Sequence, residues 1–198
     1  ILCVIISIFL VTAIFSVADM MIRTQSDRMT GKNGSWHIEL DGISQETALK
    51  IAGRDDVVSI GAVTIFNPDG ELPYRMDGKR VVLYGIDESY LTMNSTGAAE
   101  GRFPQGMGEI MLSSNAARVL QVAVGDTVTL RTPSGDWDFT VSGLGGVEES
   151  YYSGQYSLMD AYLPRTAFAA LMEQNNVHNL QTSYYVQFTS ASKAAKAI

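Results

Sequence analysis

Apolar and polar positions divide this chain into two unequal regimes. Ile1 to Ala18 carry no charge, and eighteen helical residues reach about 27 Å, close to the hydrocarbon core of a bilayer at about 30 Å. This predicts a membrane-crossing helix. A cleavable signal or a buried core helix is the alternative, and Val17-Ala18-Asp19 is a poor cleavage site. Good helix formers continue from Met20 towards Thr30 and stop at Gly31-Lys32-Asn33-Gly34, so the helix is expected to leave the membrane as a short stalk.

Beyond the stalk the pattern changes to short alternating runs. Trp36 to Leu40 alternates as a half-buried strand, Ser44 is placed to cap a helix ending at Gly53, and Val57 to Val63 returns as a strand, predicting a β-α-β unit. Asn67-Pro68-Asp69-Gly70 is a turn and Lys79 to Gly85 a further strand. From Glu100 the texture becomes β-rich. Glu109 to Leu112 reads as a strand, followed by a Ser113 or Ser114 cap and a helix over Ala116 to Leu120. Thr127 to Arg131 and Trp137 to Val141 flank the hairpin signal Pro133-Ser134-Gly135-Asp136. Gly143 to Gln155 is expected to be a flexible loop. Ala161-Tyr162-Leu163-Pro164 is expected to open a helix over Ala167 to Gln174. Tyr184 to Thr189 is a strand, and Ser190 or Ser192 caps a closing helix.

Composition narrows the partners. The net charge of −7, with no basic run longer than two residues, argues against nucleic acid and against anionic headgroups, which are approached through Lys and Arg clusters. The sole cysteine, Cys3, falls in the apolar segment, leaving the rest without disulfide or thiol chemistry. With 46% apolar and 18% charged residues, a packed core is expected instead of disorder.

Signals for catalysis are sparse. His37 and His178 are the only histidines, and neither has a partner at metal-ligand or general-base spacing. No G-x-S-x-G elbow is present. Thr30 to Ser35 lacks the glycine spacing and preceding strand of a phosphate loop. Asn67-Pro68-Asp69-Gly70 matches the middle of a calcium loop, but Ile65 and Met76 stand where its first and last carboxylates belong. No cofactor or metal is therefore expected. Glu148, Glu149, Tyr151 and Tyr152, on the glycine-rich loop, are the candidate contacts for a cationic peptide or other partner, because tyrosine supplies contact area at low entropic cost. A solvated loop tip is the plainer reading of the same residues.

The order of these pieces carries a resemblance. The apolar helix and stalk are followed by Asp55 to Val63 (DDVVSIGAV), then Tyr84 to Tyr90 (YGIDESY). Next come Glu100-Gly101-Arg102-Phe103, Glu109-Ile110-Met111-Leu112, Val124-Gly125-Asp126-Thr127-Val128, Phe139 to Leu144 and Ala161 to Phe168. Together they resemble the extracytoplasmic domain of an ABC-transporter permease of the FtsX-like, MacB-like family, over essentially the whole chain. Gly101 and Gly125 would serve turns, Phe103 would anchor a loop and Asp126 would cap a turn. Those are scaffold roles, which identify a fold and no reaction.

The resemblance implies an α+β fold. Residues 1–30 would be the transmembrane helix and stalk. Residues 31–97, completed by 181–198, would form a porter-like α/β subdomain, and residues 98–180 an inserted β-rich subdomain. It also implies a location at the cell membrane, with residues from about 31 on the extracytoplasmic side. The expected partners are a separate ABC ATPase subunit, a second permease in a homodimer or pair, and a peptide or lipoprotein client, with no nucleic acid. The resulting expectation is a non-enzymatic module that couples ATP hydrolysis elsewhere to export, extraction or sensing. The alternative is a single-pass membrane-anchored receptor or ligand-binding domain; a membrane-anchored hydrolase is a weaker third.

Overall fold

The structure, a computed structural model, describes Ser16, Met20 and residues 34–66, 73–94, 97–145 and 159–195. Among the described residues no helix is long and apolar enough to cross a membrane. The expected spanning segment and stalk lie outside them, apart from Ser16 and Met20, which are both helical.

Strand β1 (Ile38–Asp41), helix α1 (Gln45–Ala52) and strand β2 (Val57–Phe66) follow the expected order. Ser44 accepts the Thr47 amide as the helix cap, satisfying one of the donors that a helix start leaves open. The two strands are not neighbours, however. Strand β10 (Leu180–Phe188) lies between them, antiparallel to both, with Ile38 opposite Val186 and Tyr184 opposite Ala62. The expected β-α-β unit is thus a split one, completed by a strand more than a hundred residues away.

Alternation along these strands sets two faces. On one, Ala48 of α1 packs on Ala62 and Tyr184, and α5 (Ala191–Ala194) closes over Val186 and Phe188. On the other, α2 (Glu88–Met93) lays Leu91 on Val63 and Ile86.

Strand β4 (Lys79–Ile86) joins this sheet through Val63–Ile65 of β2 and also begins a ring. It pairs with β3 (Arg75–Met76), β3 with β7 (Thr127–Thr132), and β7 with β8 (Gly135–Gly145). Strand β8 then pairs with β6 (Glu109–Leu112), β6 with β9 (Met159–Pro164), and β9 runs parallel to β4. Strand β5 (Ala98–Gly101) adds to the edge of β8. Inside the ring, Leu83, Ile110, Leu130, Val141 and Leu163 are buried beneath Phe168 and Leu171 of α4 (Arg165–Gln174). Helix α3 (Ser114–Leu120), capped by Ser113, contributes Ala116.

Two local expectations change. Ala161 to Leu163 do not open a helix; they are strand β9, and the helix starts at Arg165, after Pro164. All three are buried, so the segment has no polar face and shows the unbroken apolar run of a parallel strand covered on both sides. Gly143 to Gly145 belong to β8, while the rest of the expected loop lies outside the described residues. The β3–β4 hairpin turns at Asp77-Gly78, with φ of 47° and 72°, the left-handed pair that a two-residue turn favours.

Candidate functional site

The chain enters the domain against the far end of α2. Gly34 has φ +90°, and a Cβ there would fall 2.6 Å from Asn94 Oδ1 and 2.8 Å from the Met93 carbonyl, so only glycine fits. The amide and hydroxyl of Ser35 both donate to Met93 O, at 2.6 and 3.0 Å, filling a carbonyl that the helix end leaves open. Trp36 Nε1 donates to Asn94 Oδ1 at 3.2 Å, and Asn94 Nδ2 to Tyr90 O at 3.1 Å.

An aromatic cluster stiffens this junction. Tyr185 meets Trp36 edge-on at 5.1 Å and Tyr90 at 4.8 Å, and its hydroxyl donates to Glu39 at 2.7 Å. Burial, then the Glu39 hydrogen bond, push the Tyr185 hydroxyl far above its ordinary range. Burial also raises that of Tyr90. Both therefore stay protonated, and Tyr185 keeps its donor role.

At the other end of α2, Asp87 grips β2 twice. Its amide donates to Ala62 O and its Oδ2 accepts the Ala62 amide, both at 3.1 Å. Because β4 pairs with β2 only from Val63 onward, Asp87 supplies at Ala62 the partners that a neighbouring strand otherwise would. Between the two ends, α2 lies directly on the β2 backbone: a Cβ on Gly61 would sit 2.5 Å from the Tyr90 amide nitrogen.

Arg165, the first residue of α4, reaches this point from the ring. Its Nη1 is 3.5 Å from Asp87 Oδ2, its Nε 3.4 Å from Thr64 Oγ1, and its guanidinium lies over the Tyr184 ring at 5.8 Å. Beside it runs a cleft of about 100 Å³ lined by Leu49, Ile60, Gly61, Asp87, Arg165 and Tyr184, among others. Ligand pockets hold about 300–1,000 Å³, so this cleft suits a junction better than a small-molecule site.

A second arginine–carboxylate pair is built differently. Arg102 makes a two-pronged contact with Glu109, whose Oε2 also accepts the amides of Gln105 and Gly106. The Arg102 hydrogen bonds, then the Gln105 amide, hold the Glu109 carboxyl at about 2, below its ordinary 4.5. Gly125 (φ +98°) occupies a turn as expected, whereas Gly101 (φ +71°) ends strand β5 opposite Gly143 instead of serving a turn; Phe103 packs against the cluster that holds Met111 and Tyr162, and Asp126 accepts the Ala123 amide at 2.8 Å. A folded-state value below the unfolded one stabilises at neutral pH and is lost as pH falls through the folded value. The melting-temperature gap between wild type and Glu109→Gln is therefore expected to be full above about pH 5 and to close towards pH 2. A gap that stays constant across that range would refute the clamp.

Glu148, Glu149, Tyr151 and Tyr152 lie outside the described residues. His37 Nδ1 accepts the Phe188 amide at 3.1 Å, and His178 pairs with Asn176 at 2.9 Å. Among the described residues no group of three or more His, Cys, Asp or Glu side chains gathers to hold a metal ion. Sequence reasoning missed Asp87 and Arg165. An Asp87 cap ahead of Glu88 was available as a signal, whereas Arg165 meets its partners only through the pairing of β9 with β4.

A split sheet fused to a strand ring, held by a scaffold of turns and clamps, is the architecture these residues build. A family model described as the MacB-like periplasmic core domain matches residues 1–198. The chain therefore belongs to that family, the extracytoplasmic domains of MacB-like ABC-transporter permeases. Solved structures share the fold. The extracellular domain of the noncanonic ABC-type transporter YknZ from Gram-positive bacteria aligns with a TM-score of 0.55 and 17% identity, covering 78% of this chain and 77% of that one. The periplasmic region of MacB from Actinobacillus actinomycetemcomitans gives 0.54 and 14%, covering 80% and 72%. A domain of a putative permease from Porphyromonas gingivalis gives 0.52 and 17%, covering 84% and 68%. No curated protein matches the sequence.

Proposed function

We propose that this domain is a non-enzymatic coupling element. It passes movement of a membrane helix, driven by ATP hydrolysis on a separate subunit, to an outer surface that engages a peptide or lipoprotein client. Residues 1–30 form the helix and stalk, residues 31–97 with 181–198 the part that receives the movement, and residues 98–180 the part that is moved. The permease works as a homodimer or pair, with Glu148, Glu149, Tyr151 and Tyr152 as client contacts.

The observation that carries this reading is a continuous path of contacts. Residues 34–36 are fixed to the last turn of α2. The first turn of α2 is fixed to β2 through Asp87, and α4 of the ring reaches the same carboxylate. A displacement entering at residue 34 is thus applied to a helix clamped at both ends, the arrangement a hinge or shear motion needs.

The test is to reconstitute the full permease with its ATPase in proteoliposomes and insert two glycines between Met20 and Arg28. Softening the stalk should leave basal ATP hydrolysis intact and abolish client-stimulated hydrolysis and transport. Wild-type stimulation in that variant would sink the proposal.

A further inference from the structure

Among the described residues, Arg165 is the one charged link between the ring and the part of the domain that carries residue 34. The other ion pairs among the described residues join positions no more than seven apart. The Arg165–Asp87 pair joins residues 78 apart, bringing the first turn of α4 to the start of α2. Around that pair the guanidinium also meets Thr64 of β2 and Tyr184 of β10. One side chain from the ring thus touches the start of α2 and two strands, β2 and β10.

Its geometry is that of a catch, unlike the Arg102–Glu109 clamp. The clamp is two-pronged and shares its carboxylate with two backbone amides. At Arg165 the polar contacts are 3.5 and 3.4 Å, at the long limit for hydrogen bonding. The two side chains keep 27% and 38% of their surface in water. Such a pair contributes little and is easily exchanged for water. Asp87 keeps its bond to the Ala62 amide when Arg165 departs, so opening leaves no buried charge behind.

We propose that Arg165 is a positioning residue that holds the ring in one orientation on the stalk-bearing sheet and lets go when the stalk moves. Release frees the guanidinium from Asp87 and Thr64 into solvent at the mouth of the adjoining cleft, which Arg165 and Tyr184 already line. The ring then turns about β4, whose backbone pairing with Val63–Ile65 of β2 joins the two parts and stays intact. The inference rests on the coupling function proposed above and assigns its point of control.

The experiment uses the full permease with its ATPase in proteoliposomes, with spin labels at Thr127 in the ring and at Thr189, just after β10. Both positions are exposed. The nucleotide-free wild type should give one narrow distance distribution. Arg165→Gln and Asp87→Asn should each broaden it, while Arg165→Lys should recover part of the narrowness. Asp87→Asn keeps a carbonyl oxygen for the Ala62 amide and so removes the charge alone. Amide exchange at Ala62 should match wild type in Arg165→Gln, because Asp87 keeps its bond to that amide, with an unchanged melting transition as evidence of intact folding. Distributions as narrow as wild type in both Arg165→Gln and Asp87→Asn would overturn the catch. The coupling reading fails separately: wild-type distances that do not change between nucleotide-free and ATP-bound states would overturn it, whatever the breadth of the nucleotide-free distribution.

Discussion

Phe168→Ala is expected to lower the unfolding free energy of the domain by about 3–5 kcal/mol. Phe168 is fully buried in the largest apolar cluster, and Gly85 leaves the space its ring fills: a Cβ on Gly85 would fall 2.7 Å from the Phe168 Cβ and Cγ. With a glycine directly beneath, the Gly85 side of the void has no side chain of its own to close it. Collapse around the site would be incomplete, and the cavity term would add to the lost transfer energy. Urea unfolding reads the effect directly as a lower midpoint at unchanged slope. A loss of under about 1 kcal/mol would mean that the core closes in some other way, since ordinary surface substitutions cost about that or less.

The second large effect is expected at Gly61. A valine there would place its Cβ 2.5 Å from the Tyr90 nitrogen and 2.6 Å from the Tyr90 Cα, and backbone atoms held in a helix cannot step aside as a flexible side chain can. Helix α2 must lift, pulling Leu91 out of its contact with Val63 and Ile86 and straining both Asp87 bonds to Ala62. The expected cost is about 3 kcal/mol, accompanied by loss of client-stimulated ATPase activity in proteoliposomes, because α2 carries the contact path from residue 34. Gly97→Ala is the control. A Cβ there meets nothing within 4 Å, so stability and stimulation should match wild type. Stimulated activity persisting in Gly61→Val would separate the helix from the coupling path.

Much of the fold was legible in the residues, for local reasons. The Ser44 and Ser113 caps, the strand at Glu109 to Leu112 and the turn between β7 and β8 are each written within a few neighbouring positions, where capping and turn chemistry act. Three features were not. Strand β9 is buried on both faces, so its apolar run shows no alternation and resembles the start of a helix. Helix α2 has six residues, too few to display a period. The insertion of β10 between β1 and β2 depends on pairing across most of the chain, which no short window contains. The same distinction governs the candidate site. The Gly125 and Asp126 roles could be read from their own turn, whereas Arg165 and Asp87 become partners only once β9 lies against β4.

The central position of β10 also constrains how the domain is made. Its partners Ile38 to Asp41 and Val57 to Phe66 lie far earlier in the chain, so both are synthesised long before the strand that separates them. Until Leu180 to Phe188 arrive, two strands wait with open backbone edges, a state prone to wrong pairing. Closure of so distant a contact is slow on topological grounds. Biogenesis of this domain is therefore expected to depend on holding an unfinished sheet apart outside the cytoplasm, and variants that delay the arrival of β10 should fail in assembly even where the finished fold would tolerate them.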